Sequence, residues 1–169
     1  MLRRCRDEEF ERILEIINDG AQAYVGVIPA DRLSVPYMSG GELRDEIAAG
    51  ILFWGEEEAG ELVGVTGIQP VQDVDLIRHA YVCTAHQKKG IGGRLLTHML
   101  GMSQRPVLIG TWADASWAIH FYQRYGFTVV TKAQKERLLR RYWSVPERQI
   151  ETSVVLADST WMQLDSERQ

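Results

Sequence analysis

Cysteine is scarce in this chain, long apolar runs are missing, and basic charge is not in excess. Cys5 and Cys83 are the only cysteines among 169 residues. Two thiols so placed make neither a disulfide framework nor a metal-spaced set, and they suit a reducing compartment. Four scattered histidines have no ligand spacing either, so no metal is expected. No stretch approaches the roughly 18 apolar residues that a bilayer span requires. The basic start Arg3-Arg4-Cys5-Arg6 runs into Asp7, Glu8 and Glu9, so no secretory leader is expected. Nineteen basic against 23 acidic residues give a net charge of -4, the wrong sign for a protein that must meet phosphates over a broad surface. Internal repeats and low-complexity tracts are absent. These absences leave a cytoplasmic protein with no membrane partner and with nucleic acid disfavoured.

What is present suits a folded domain. Hydrophobic residues are 45% and charged residues 25%, an ordinary globular balance. A chain of this length buries about 70% of its unfolded surface, so one domain with a proper core is expected. Phe10, Ile13, Leu14, Ile17 and Ala21 fall at helical spacing after a capping Asp7. Ser39 to Glu42 has capping-box spacing and opens a second helix. Residues 51–54 and 62–68 read as strands. The acidic tip Glu56-Glu57-Glu58-Ala59-Gly60 between them reads as a solvated hairpin turn. Residues 76–82 form the next strand. Helical spacing follows through Ile91, Leu95, Leu96 and Met99, then a strand at 107–109. A helix over 116–125 is closed by Gly126, and strands follow at 127–130 and 154–156. With a first strand at 2–5, the order is β-α-α-β-β-β-α-β-α-β-β, a mixed α/β pattern. Residues 132–148 are basic, with six Lys or Arg against two Glu. They read as a long loop with a short helix up to Tyr142. The domain is expected to span 1–157. Residues 158–169 form a polar, frayed C-terminal tail in which Trp161 is the possible anchor.

The most informative segment runs from Tyr81 and Val82 through Gln87-Lys88-Lys89-Gly90-Ile91-Gly92-Gly93 to Arg94. A strand enters, three glycines follow within four residues, and a helix leaves. Helix starts carry unpaired N–H groups and a positive dipole end, and glycine lets the backbone approach a phosphate closely. The P-loop pattern is missing, and Leu95 stands where the dinucleotide fingerprint needs its third glycine. The competing reading is a tight turn whose glycines serve chain geometry alone.

Gln87-Lys88-Lys89-Gly90-Ile91-Gly92 resembles the Q/R-x-x-G-x-G/A signature of the GNAT N-acetyltransferases. The block from Ala118 to Phe127, with Phe121-Tyr122 and Gly126-Phe127, is similar to that family's A-x-x-F-Y-x-x-x-G-F block. Both occur in the family's order within a matching series of elements, so the resemblance covers most of 1–157. It extends to an uncharacterised bacterial branch through residues 76–82 and 141–148. It implies a mixed central sheet of about seven strands flanked by about four helices, with splayed strands forming an acyl-CoA cleft.

The resemblance implies that the backbone of Lys88, Lys89, Gly90, Ile91, Gly92 and Gly93, with Gln87 in the signature, holds the pyrophosphate of acetyl-CoA. Tyr81 and Val82 line the pantetheine arm, and the Val82 amide faces the thioester oxygen. Tyr122 protonates the leaving thiolate, the other reading being a tyrosine that only packs the arm. Phe121, Tyr125 and Phe127 are core or packing residues. Where many relatives carry a basic Glu, this chain has Leu76 and Gly110, and Ala115 stands where the family often has Asn. Asp75 and His79 are the nearby substitutes. In an ideal strand they share a face with Tyr81, opposite Val82. His79 is chosen as the base, its alternative being a hydrogen-bonded structural histidine. His86 and His120 are read as surface residues, and Cys83 as no nucleophile. The acceptor side falls to residues 24–37, with Tyr24 and Tyr37, and to 131–152. The basic side chains of 131–152 either select an anionic acceptor, pair with the acidic hairpin, or form a subunit interface. The expected activity is transfer of an acetyl group to a primary amine of a small molecule or peptide by direct attack, possible as a homodimer. The alternative is a non-catalytic acyl-CoA binding or sensing domain.

Overall fold

A computed structural model describes residues 1–169. The strands are β1 (Leu2–Arg4), β2 (Leu52–Glu58), β3 (Glu61–Val71), β4 (Val74–Val82), β5 (Val107–Trp112), β6 (Thr128–Val129) and β7 (Ser153–Ala157). The α-helices are α1 (Phe10–Gly20), α2 (Gly40–Ala48), α3 (Ile91–Met102), α4 (Ser116–Arg124), α5 (Lys132–Tyr142), α6 (Glu147–Thr152) and α7 (Ser159–Glu167). The strands form one open sheet in the order β1-β2-β3-β4-β5-β7-β6. The seven strands of a mixed sheet are therefore found as expected, whereas the helices number seven rather than about four. The chain resolves into two compact units, residues 1–69 with 77–102, and residues 70–76 with 103–169.

In the first unit β2 pairs antiparallel with both β1 and β3. The apolar stripe of α1 buries Ile13, Ile16 and Ile17 against Leu43, Phe53 and Val65. Each such side chain contributes about 1.5–3 kcal/mol relative to exposure. α3 packs Ile91 and Leu95 against Val63. The connection from α1 to α2 is tied back by Asn18, whose amide bonds the carbonyl and the N–H of Met38 at 3.0 and 2.9 Å. Ser39 caps α2 by accepting from the Glu42 amide at 3.1 Å. The hairpin is tighter than the sequence implies. Only Ala59 and Gly60 turn, with φ of +50° and +84°, as a two-residue hairpin loop demands. Glu56, Glu57 and Glu58 are strand residues of β2, and Glu56 is buried. They are not a solvated tip.

In the second unit β7 pairs antiparallel with β5 and β6. Its core gathers Leu76, Leu108, Leu138, Tyr142, Val155 and Trp161. The segment read as a long loop with a short helix up to Tyr142 is two helices, α5, which does end at Tyr142, and α6. Thr131 and Gln134 cap α5 reciprocally, a full capping box. The cations of this segment pair locally: Arg137 with Asp165 at 3.0 Å, Arg140 with Glu147 at 2.7 Å, Arg141 with Asp73 at 3.7 Å, and Arg148 with Glu151 at 3.7 Å. Their partners are not the acidic residues of β2. The tail expected to fray is α7. Asp158 caps it by accepting from the Trp161 amide at 2.9 Å, Trp161 enters the core, and Gln134 bonds Asp165 at 2.9 Å. No helix of the chain is long and apolar enough to cross a membrane.

Candidate active site

β4 ends at Val82, a single 3-10 turn covers Thr84–His86, and α3 starts at Ile91. Between them Lys88 and Gly90 are left-handed, with φ of +64° and +79°. The backbone bonds of this turn are Gln87 N to Thr84 O at 3.5 Å and Arg94 N to Gly90 O at 3.0 Å. The amides of residues 89–93 are therefore left without a carbonyl partner at the positive end of a helix, an arrangement made for an anion. Lys88 and Lys89 are exposed. The Ile91 side chain is core, and Gly64 of β3 makes room for it, since a Cβ there would lie 2.9 Å from Ile91 Cγ2. Gln87 has a supporting place: its Nε2 donates to Val82 O at 3.3 Å and ties the turn to the strand end.

β2 holds the turn from below. Glu56 pairs with Arg94 at 3.2 Å, and Arg94 Nη1 donates to Lys89 O at 3.1 Å. Glu58 pairs with His86 at 3.2 Å, so His86 is not a bare surface residue. Sequence reasoning missed both contacts.

Along β4, Val82 packs toward α3 with Val63, Ile91 and Leu95, whereas Tyr81 packs toward α1. His79 has φ +56°, a left-handed residue inside a strand. Its ring stacks on Phe53 at 6.4 Å and its Nε2 pairs with Glu46 of α2. Arg78 Nη2 donates to the other oxygen of Glu46 at 3.1 Å. Burial alone would raise the Glu46 carboxyl, but the His79 hydrogen bond and the charges of His79 and Arg78 hold its pKa below the usual range. His79 and Tyr81 thus share a side, as strand alternation predicts. Asp75 does not join them. The left-handed residue breaks the alternation, and the Asp75 carboxylate accepts from Ser103 Oγ at 2.6 Å, with Arg105 at 4.0 Å.

Tyr81 meets two tyrosines of the α1–α2 connection. Its ring centroid lies 6.3 Å from that of Tyr24 and 6.4 Å from that of Tyr37, both edge-on. Tyr24 and Tyr37 are 5.6 Å apart. Burial, then the two neighbouring phenols, push the Tyr81 hydroxyl well above its ordinary pKa. Gly20 admits the ring, because a Cβ there would lie 2.8 Å from Tyr81 Cδ1. Cys83 is buried. Burial raises its thiol pKa, against the opposing charge of Arg12, whose Nη2 sits 3.7 Å from Sγ.

In the second unit, Tyr122 is a buried residue of α4 between Phe121 and Phe127, at 5.3 and 6.1 Å between centroids. Gly126, with φ +91°, ends that helix and returns the chain toward β6. The two positions where many relatives carry a basic Glu hold no titratable side chain. Leu76 is fully buried in the core. The indole of Trp143 covers Gly110, 3.4 Å from where a Cβ would be. Ala115 is buried at the N-cap of α4 and gives no side-chain cap. No group of His, Cys, Asp or Glu is arranged to hold a metal ion.

Residues 49–129, which include both the glycine turn and Tyr122, match the family model of the acetyltransferase (GNAT) domain. That stretch is similar to a GNAT domain. No curated protein sequence matches it. Solved structures share the fold of the GNAT domain over 94% of the chain. One is the PaiA N-acetyltransferase from Thermoplasma acidophilum in complex with coenzyme A, at 17% identity, 97% of that chain covered and a TM-score of 0.70. A second is an acetyltransferase from Streptococcus agalactiae, at 12% identity, 96% covered and a TM-score of 0.71. A third is the ribosomal-protein-S18-alanine N-acetyltransferase from Escherichia coli, at 14% identity, 92% covered and a TM-score of 0.65. At these identities the likeness is one of fold.

Proposed function

We propose that the protein is a cytoplasmic N-acetyltransferase, moving an acetyl group from acetyl-CoA to a primary amine of a small molecule or peptide. The observation that carries this reading is the glycine turn, whose amides at residues 89–93 have no carbonyl partner. Those amides bind the pyrophosphate. The backbone of Tyr81 and Val82 lines the pantetheine arm, and the Val82 amide offers a hydrogen bond to the thioester oxygen. A donor at that atom in other enzymes contributes about 3–4 kcal/mol. The thioester supplies the acetyl group, and the acceptor attacks it directly.

Two side chains move protons. An alkylamine of pKa near 10.4 is neutral in only about one molecule in 10³ at pH 7, so its proton must be taken up. His79 takes it. With Nε2 facing Glu46, the lone pair of Nδ1 is the accepting atom, and Glu46 stabilises the charged ring. Tyr122 gives its phenol proton to the leaving thiolate. The phenols of Tyr24, Tyr37 and Tyr81 line the acceptor side.

A second reading is an acyl-CoA sensor without turnover. It is favoured by Leu76, Gly110 and Ala115 standing where relatives carry Glu, Glu and Asn. Thiol release measured over a panel of amines, with wild type beside Tyr122→Phe, separates the two. Turnover that depends on Tyr122 establishes the enzyme. Tight coenzyme A binding with no turnover on any amine establishes the sensor.

A further inference from the structure

The acidic row of β2 takes no part in the chemistry above, yet two of its carboxylates hold the two flanks of the glycine turn. Glu58 Oε2 lies 3.2 Å from His86 Nδ1, on the segment leading in. Glu56 Oε1 lies 3.2 Å from Arg94 Nη2, in the first turn of α3, and Arg94 reaches back to the Lys89 carbonyl. Glu57, between them, turns away to Arg3 at 2.7 Å. The span held in this way contains the left-handed Lys88 and Gly90. A lysine keeps that conformation only where its surroundings impose it.

By charge alone the arrangement is unfavourable. Two carboxylates beside a diphosphate site repel the ligand, and removing them should tighten binding. Their contribution must then be geometric. We infer that Glu56 and Glu58 are positioning residues, a two-point clamp that shapes the turn to receive the diphosphate of acyl-CoA. This rests on the reading of the turn as the acyl-CoA site.

The sign of the effect is the test. Calorimetric Kd values for coenzyme A are compared for wild type, Glu56→Gln, Glu58→Gln, the double variant and Glu61→Gln. The last removes an equal charge from the position opposite Glu58 on the neighbouring strand and breaks neither clamp contact. Each single clamp variant is expected to weaken binding about twofold to fivefold, and the pair about tenfold. The KM for acetyl-CoA should rise in parallel while kcat stays within about twofold. Glu61→Gln should bind as tightly as wild type or more tightly. Clamp variants that bind equally or better overturn the inference. Wild type that takes up no coenzyme A overturns the acyl-CoA reading itself. Should Glu56→Gln fail to fold, the more exposed His86→Gln combined with Glu58→Gln decides the matter. A clamp makes the second substitution nearly silent, and additive losses refute it.

Discussion

Arg78 and His79 are consecutive in β4, yet both grip the Glu46 carboxylate. A regular strand would send them to opposite faces. The left-handed backbone at His79 brings them to one side, with His79 Nε2 turned to the carboxylate. The histidine is thereby oriented before any acceptor arrives.

Replacing this pair should expose a base. His79→Gln and Glu46→Gln are each expected to lower kcat about 10²-fold near pH 7. The deficit should shrink as pH rises toward 9, since more of the amine is then already neutral. Initial rates from pH 6 to 9 check this. A profile that parallels wild type would assign deprotonation to water.

Tyr122→Phe keeps the ring packed between Phe121 and Phe127 and removes only the hydroxyl. Thiol release should slow about 10²-fold with the Kd for coenzyme A unchanged. Unaltered kcat would confine Tyr122 to packing.

Gly20→Ala tests the tyrosine cluster. The new Cβ would lie 2.8 Å from Tyr81 Cδ1 and 2.9 Å from its Cβ, so the ring must shift. A stability loss of about 1–3 kcal/mol is expected in denaturant melts. The acceptor KM should rise while the KM for acetyl-CoA holds. A displaced Tyr81 with normal acceptor kinetics would remove the cluster from the acceptor side.

Acid stability should depend on Glu9. Hydrogen bonding from Arg3, at 2.6 Å, holds its carboxyl down to about 2 from an ordinary 4.5. Between those values the unfolded chain binds the proton more readily. The contribution is therefore full above pH 4.5 and is lost as pH falls toward 2. Glu9→Gln should cost about 1–3 kcal/mol in urea titrations at pH 7, and the gap to wild type should close near pH 2. A gap that does not vary with pH would mean that the pair acts only by packing.

Local signals in the sequence found most of the sheet and the glycine turn. α1 is legible from its apolar spacing and α4 from the Gly126 cap, and the strand–glycine–helix order of residues 81–94 survives intact. α5 is legible only as a short helix ending at Tyr142, because only Leu138, Leu139 and Tyr142 face the core, too few for a stripe among its charges. α7 escaped for the same reason, with Trp161 as its single buried residue. The functional surroundings were hidden differently. Glu46 meets residues 78 and 79, Glu56 meets Arg94, and Tyr24 meets Tyr81, each across a long stretch of chain that spacing rules do not bridge. Nothing in Arg78-His79-Ala80 marks a left-handed strand residue, so the neighbours of Asp75 could not be assigned from alternation.

The docking of α7 bears on how the protein tolerates shortening. Cutting after Ala157 would pull the Trp161 indole from the core it shares with β5 and β7 and strip Asp165 from Gln134 and Arg137. The last helix behaves as a keystone rather than a fringe, so clipped forms should be sticky, short-lived species instead of trimmed, active ones.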